Sequence, residues 1–96
     1  MTSKERAELR KQANGLDTIY QIGKGEIDDT LIRGVGEALA ARELIKLRVQ
    51  DNSEYSAKEA AEILAQKLGA QVVQVIGGRF VLYKWNRDIN KYGIKK

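Results

Sequence analysis

The stretch QVVQVIGGRFVLYK, residues 71–84, sets the architecture. Val72 to Ile76 and Phe80 to Lys84 read as strands, and the Gly77-Gly78 pair between them is a strong hairpin signal. Apolar side chains stand at odd and even positions of both strands. Strands of this kind are covered on both faces, or they offer one apolar face to a partner.

Working back from the hairpin, Gly69 ends a helix that opens on Ser56-Ala57-Lys58-Glu59. That opening fits a capping box, with the serine oxygen taking an amide and the glutamate reaching back to the cap. Ala57, Ala60, Ala61, Leu64 and Leu68 form its buried stripe. Before it, Ile45, Leu47 and Val49 alternate with Lys46, Arg48 and Gln50, which predicts a strand with one buried face and one basic face. Earlier still, Ile27, Leu31, Val35, Ala38 and Leu39 recur at helical spacing behind Asp28, a good N-cap. Gly34 and Gly36 each cost this helix about 1 kcal/mol relative to alanine, so something must pack closely there. Thr18 to Ile22 suits a strand, and Gly23-Lys24-Gly25-Glu26 is the turn that leaves it. Residues 3–14 form a first helix, capped by Ser3, with Leu9, Ala13 and Leu16 toward one side. Asn14-Gly15 ends it, since both residues tolerate a left-handed cap. The order α-β-α-β-α-β-β is an α/β fold: a four-stranded mixed sheet, partly parallel, layered with helices. Residues 1–85 form a single domain, and 86–96 a basic, flexible tail.

Charge is unevenly spread. The 96 residues carry a formal charge of +4, yet residues 13–78 hold seven basic and ten acidic side chains, so the excess sits at the two ends. Basic ends fit a polyanion such as nucleic acid, or simply a solvated surface. Cysteine and histidine are absent, which excludes disulfides, zinc held by imidazole or thiolate, and the usual serine or cysteine nucleophile systems. No cofactor is expected. No apolar run approaches the roughly 20 residues of a membrane span, no secretory leader is read at the start, and a cytoplasmic location is expected.

Carboxylates give little catalytic promise. Asp28 and Asp29 are neighbours, point about 100° apart on a helix, and serve best as cap and dipole partner. Asp51 and Glu54 share a loop but are no metal signal. The Gly23-Lys24-Gly25 turn is neither a Walker loop nor a dinucleotide fingerprint. It is either a plain tight turn or a place where backbone and Lys24 meet a phosphate beside a helix start. Tyr83 and Trp85, beside Lys84 and Arg87, form either a base-stacking surface or a rim under the first helix.

Five blocks in this order resemble a known family: Ile22-Gly23-Lys24-Gly25, Gly36-Glu37-Ala38-Leu39, Arg42-Glu43-Leu44-Ile45-Lys46-Leu47, Gln71-Val72-Val73-Gln74-Val75-Ile76-Gly77 and Val81-Leu82-Tyr83-Lys84. Together they look like the YhbY-type CRM domain, named for chloroplast RNA splicing and ribosome maturation, over roughly residues 4–85. The resemblance implies a fold similar to the C-terminal domain of translation initiation factor three, with an added N-terminal helix. It implies RNA binding and, in bacteria, association with precursors of the large ribosomal subunit. The family's loop after the first strand is a GxxG element likened to that of KH domains. Here Glu26 stands where the last glycine belongs, and a carboxylate there repels a phosphate unless it turns away.

The expectation is a non-catalytic RNA-binding protein of ribosome assembly, with Lys4, Arg10, Lys11, Gly23, Lys24, Gly25, Arg79 and Lys84 at the RNA, and without a small-molecule substrate. The alternative is a protein-interaction module that buries its apolar hairpin against a partner.

Overall fold

The computed structural model describes residues 1–25 and 27–94. Helix α1 spans Ser3–Ala13, β1 Thr18–Ile22, α2 Asp29–Arg42, β2 Leu44–Val49, α3 Ala57–Leu68, β3 Gln71–Ile76 and β4 Arg79–Tyr83. The four strands form one mixed sheet in the order β1-β2-β4-β3. Strand β1 runs parallel to β2, while β4 is antiparallel to both β2 and β3. The two strand-helix-strand crossovers thus step the same way across the sheet. Right-handed connections then put α2 and α3 on one face.

The hairpin's apolar residues are divided between two cores. Phe80 and Leu82 join Ile45, Leu47 and Val49 against α2 and α3, with Val35, Leu39, Ala60, Ala61 and Leu64 among the helical partners. Val81 and Tyr83 point the other way and join Leu44 and Val73 under Leu9 and Ala13 of α1. Strand β4 is therefore covered on both faces by its own chain. Only Val75 and Ile76 of the hairpin remain exposed large apolar side chains, at 39% and 62%. The apolar face that the alternative reading would bury against a partner protein is largely internal.

Local chemistry explains the helix boundaries. Ser56 accepts from the Glu59 amide at 3.1 Å, and the Glu59 carboxylate accepts from the Ser56 amide at 2.9 Å, which completes the expected capping box. At α1 the cap is Thr2 rather than Ser3, paired with Glu5 in the same reciprocal way. The end of α1 also differs from expectation. Asn14 stays right-handed, at φ −59°, and its amide turns back to the Arg10 carbonyl. The close packing expected at the α2 glycines is present. A Cβ on Gly34 would lie 2.5 Å from the Tyr20 hydroxyl, and one on Gly36 would lie 3.1 Å from Leu68.

The largest departure is the segment after β4. Residues 86–94 are not a loose tail. The Glu43 side chain is wholly buried and holds them: its two carboxylate oxygens accept from the Asn86 amide at 2.8 Å and the Lys91 amide at 2.7 Å. Asn86 returns a side-chain bond to the Ala40 carbonyl at 2.7 Å. Ile94 then buries in the α1-side core, with Trp85 and Tyr92 packed against it. Lys95 and Lys96 lie outside the described residues.

Candidate nucleic-acid interface

The glycine turn, the β2 terminus and the hairpin turn meet at one end of the sheet. Ile22 pairs with Val49, the Gln50 amide donates to the Ile22 carbonyl, and the Val49 amide donates to the Gly78 carbonyl. Within the turn, Gly25 has φ +112° in open space, a conformation that L side chains rarely adopt. Gly23 lies against the Gln50 side chain, and Lys24 is exposed. The expectation that rested on Glu26 falls outside the described residues.

The start of α2 does not wait for an anion. Asp28 accepts from the Leu31 amide at 2.8 Å, and Asp29 adds a second carboxylate to the first turn. The helix dipole is already complemented by its own chain. Any phosphate at this end must therefore be met by the turn's backbone and Lys24.

The basic face of the sheet is a stronger feature. Alternation in β2 sends Ile45, Leu47 and Val49 to the α2–α3 core and turns Lys46 and Arg48 to the α1 side. Arg48 stands directly opposite Arg79 of β4, and Arg79 directly opposite Ile76 of β3. Helix α1 covers this side only as far as its C-terminus, where Asn14 borders an open groove with Lys46, Gln74, Ile76 and Arg79. The last turn of α1, carrying Arg10 and Lys11, ends at that groove. Gln21 lies beside Arg48 on β1, bonded to Gln50 at 2.6 Å.

Among the described residues, the recorded ion pair joins Arg87 to Asp88, and none of Lys24, Lys46, Arg48 or Arg79 has a carboxylate within 4.0 Å. Two like charges directly opposite in an antiparallel pair destabilise the sheet. Arg48 and Arg79 thus cost the fold something that a bound anion would relieve.

The expected contact residues divide into two groups. Gly23, Lys24, Gly25 and Arg79 lie at the turn end, with Arg10 and Lys11 leading toward it. Lys84 follows Tyr83, which pairs with Leu44 and Gln71 at the opposite end, about 17 Å from Arg79 at the usual rise per residue. Lys4 is also remote, since its neighbour Arg6 donates to the Val72 carbonyl near the start of β3. Lys46 and Arg48 were not among the expected contacts, although the alternation in β2 marked them. Tyr83 is unavailable for stacking: it is 1% exposed, and burial, with Glu43 nearby, pushes its hydroxyl up to about 12.

No helix of the described residues is long and apolar enough to cross a membrane, and no three His, Cys, Asp or Glu side chains gather among them as metal ligands.

The CRS1 / YhbY (CRM) domain matches residues 1–84. The chain is 42% identical over 88 residues to the "Probable RNA-binding protein YqeI" of Bacillus subtilis, covering 92% of each chain. It is 35% identical over 98 residues to the "Probable RNA-binding protein MJ0652" of Methanocaldococcus jannaschii, covering 100% of this chain and 72% of that one. Among solved structures, it is similar to the hypothetical protein SAV1595 from Staphylococcus aureus, "a putative RNA binding protein", with a TM-score of 0.73, 37% identity and 91% of both chains covered.

Proposed function

The chain belongs to the CRS1 / YhbY (CRM) domain family, and from that premise we propose that it is a non-catalytic RNA-binding protein that acts in the cytoplasm on precursors of the large ribosomal subunit. The observation that carries the RNA reading is the Arg48–Arg79 pair, without a carboxylate partner among the described residues, on a sheet face that α1 leaves open. Guanidinium groups take phosphate in a bidentate way, and the backbone of RNA supplies a counter-charge to the pair. Lys24 and the open backbone at Gly25 extend the contact past the strand ends. Ile76, exposed beside Arg79, gives an unpaired base an apolar surface. RNA helices and loops are met largely by shape and phosphate contacts, so modest sequence preference follows. The precursor reading rests on the resemblance of the Gly23–Gly25, Arg42–Leu47 and Gln71–Lys84 blocks to the family's bacterial members.

Fluorescence anisotropy on a structured fragment of large-subunit RNA tests the surface. Replacing both Arg48 and Arg79 with glutamine should weaken binding by about tenfold or more, at one to a few kcal/mol per charged contact. Stability should hold or rise, because the repulsion between them is removed. Unchanged affinity in a folded double variant would refute this surface. Sedimentation of the tagged protein with precursor particles, lost on washing in high salt, tests the ribosomal assignment separately.

A further inference from the structure

A second concavity lies across the sheet from the glycine turn. It is a cavity of about 350 Å³ at the β1 edge, between the start of β1, the end of α2 and residues 89–92. Its size falls within the usual span of small-molecule sites. Three cations line it, Arg42, Lys46 and Lys91, against one carboxylate, Asp17. None of them is in the ion pair recorded among the described residues. Leu16, Ile19 and Ile89 supply apolar surface.

The wall formed by residues 89–92 is fixed. The Lys91 amide is bound to the buried Glu43 carboxylate at 2.7 Å, and the Trp85 indole donates to Asn90 at 3.1 Å. Tyr92 meets Tyr83 edge-on, with centroids 6.4 Å apart at 80°. An aromatic ring is thus held at the cavity, with the Lys91 ammonium 5.7 Å from its centre. Lys46 borders both this cavity and the groove that holds Arg79, so the positive surface is continuous between them.

We propose that this cavity receives one unpaired nucleotide of the bound RNA, its phosphate held by Arg42, Lys46 and Lys91 and its base against the Tyr92 ring. An anion is selected by the excess of cations, and a flat ring by the aromatic wall; a nucleotide carries both. The source of the nucleotide rests on the RNA-binding reading, whereas the chemistry of the cavity does not.

The test has two arms. In the first, labelled protein is titrated with uridine and adenosine 5′-monophosphates, with ribose 5-phosphate and uridine as controls, while backbone amide resonances are followed. Saturable shifts are expected at residues 16–19, 41–46 and 91–92. Either control alone should bind at least about fivefold more weakly, since each lacks one of the two contacts. The double variant Arg42→Gln, Lys91→Gln should keep its native spectrum and lose at least about fivefold in nucleotide affinity. Monophosphate binding no tighter than ribose 5-phosphate, or a variant within twofold of the wild type, would overturn the site. In the second arm, an RNA hairpin with a single bulged nucleotide is compared with its fully paired counterpart. The wild type should prefer the bulged form, and the double variant should lose that preference while binding the paired form as before. Free-nucleotide binding without a bulge preference overturns RNA as the source. Failure to bind either RNA removes the RNA-binding reading and leaves the first arm to decide the cavity.

Discussion

Tyr83 pairs a large favourable term with an unfavourable one. Its ring fills the α1-side core, yet its hydroxyl is buried with no hydrogen-bond partner among the described residues. An unsatisfied buried hydroxyl costs about 1–3 kcal/mol. Tyr83→Phe should therefore be neutral or stabilising near pH 7 by urea denaturation. The folded hydroxyl titrates near about 12 against an ordinary 10.0, raised chiefly by burial and next by Glu43. A raised acid contributes stability below the unfolded value and loses it as pH rises through the folded one. The wild type should thus weaken between about pH 10 and 12, and Tyr83→Phe should show a flatter profile there; an unchanged alkaline slope would assign that loss to other groups. Gly34 carries the opposite lesson. Alanine normally improves a helix interior by about 1 kcal/mol. Here its Cβ would sit 2.5 Å from the Tyr20 hydroxyl and 3.2 Å from the ring carbon bearing it. Overpacking typically costs about 1–3 kcal/mol, so Gly34→Ala should be net destabilising in the same assay. A stabilised Gly34→Ala would mean that Tyr20 moves aside freely. The sequence exposed the glycine as anomalous without naming its neighbour.

The regular elements were legible because each obeys one period and carries its own punctuation: the alternation in β2, the stripe and capping box of α3, the glycine pair of the hairpin. The segment 86–94 was not legible, because its order comes from no pattern of its own. It comes from Glu43, a charged residue at a helix end that reads as solvent-facing but is wholly buried, with φ at +64°. A non-glycine residue held there is strained and persists only when its surroundings over-determine it. Those surroundings are the Leu39 carbonyl, which accepts its amide, the Lys84 amide, which donates to its carbonyl, and the two tail amides on its carboxylate. Glu43→Ala would orphan both tail amides and should cost on the order of 2–4 kcal/mol. Hydrogen exchange is the sharper readout. Protection at Asn86 and Lys91 should collapse, while the β2–β4 amides lose only what the global destabilisation demands. Persistent protection at those two amides would show that Ile94 and Tyr92 alone hold the segment. The same blind spot hid Lys46 and Arg48: a strand pattern says which face is polar, but only the sheet order shows that α1 stops short of covering it.

At the scale of the molecule, the question is whether RNA reads a net charge or a place. The chain's charge of +4 arises mostly from its two ends, yet the fold separates those ends' cations. Arg79 joins Arg48, Lys46 and Lys24 at one end of the sheet, while Lys84 and Lys4 lie toward the other, about 17 Å away along β4. Salt screens exposed charges beyond about 8–10 Å at ordinary ionic strength, so the two groups act independently. Two double variants separate the possibilities, because each removes two positive charges and leaves the same net charge. With Lys4→Gln, Lys84→Gln, affinity for structured RNA should stay within about twofold of wild type, with the salt dependence intact. With Arg48→Gln, Arg79→Gln, affinity should fall by about tenfold, and the slope of log affinity against log salt should become shallower by up to about 1.4–1.8 units, at roughly 0.7–0.9 per phosphate contact. From four to six contacts, the wild-type slope itself should lie near about −3 to −5. Equal losses in the two variants would mean that binding follows overall charge. A larger loss at Lys4 and Lys84 would move the RNA to the end of the sheet where α1 begins and β4 leaves it. A loss confined to the arginine pair leaves one geometry in which phosphates follow the open face from Lys24 across Arg48 and Arg79 to Lys46, which borders both the groove and the Tyr92 cavity.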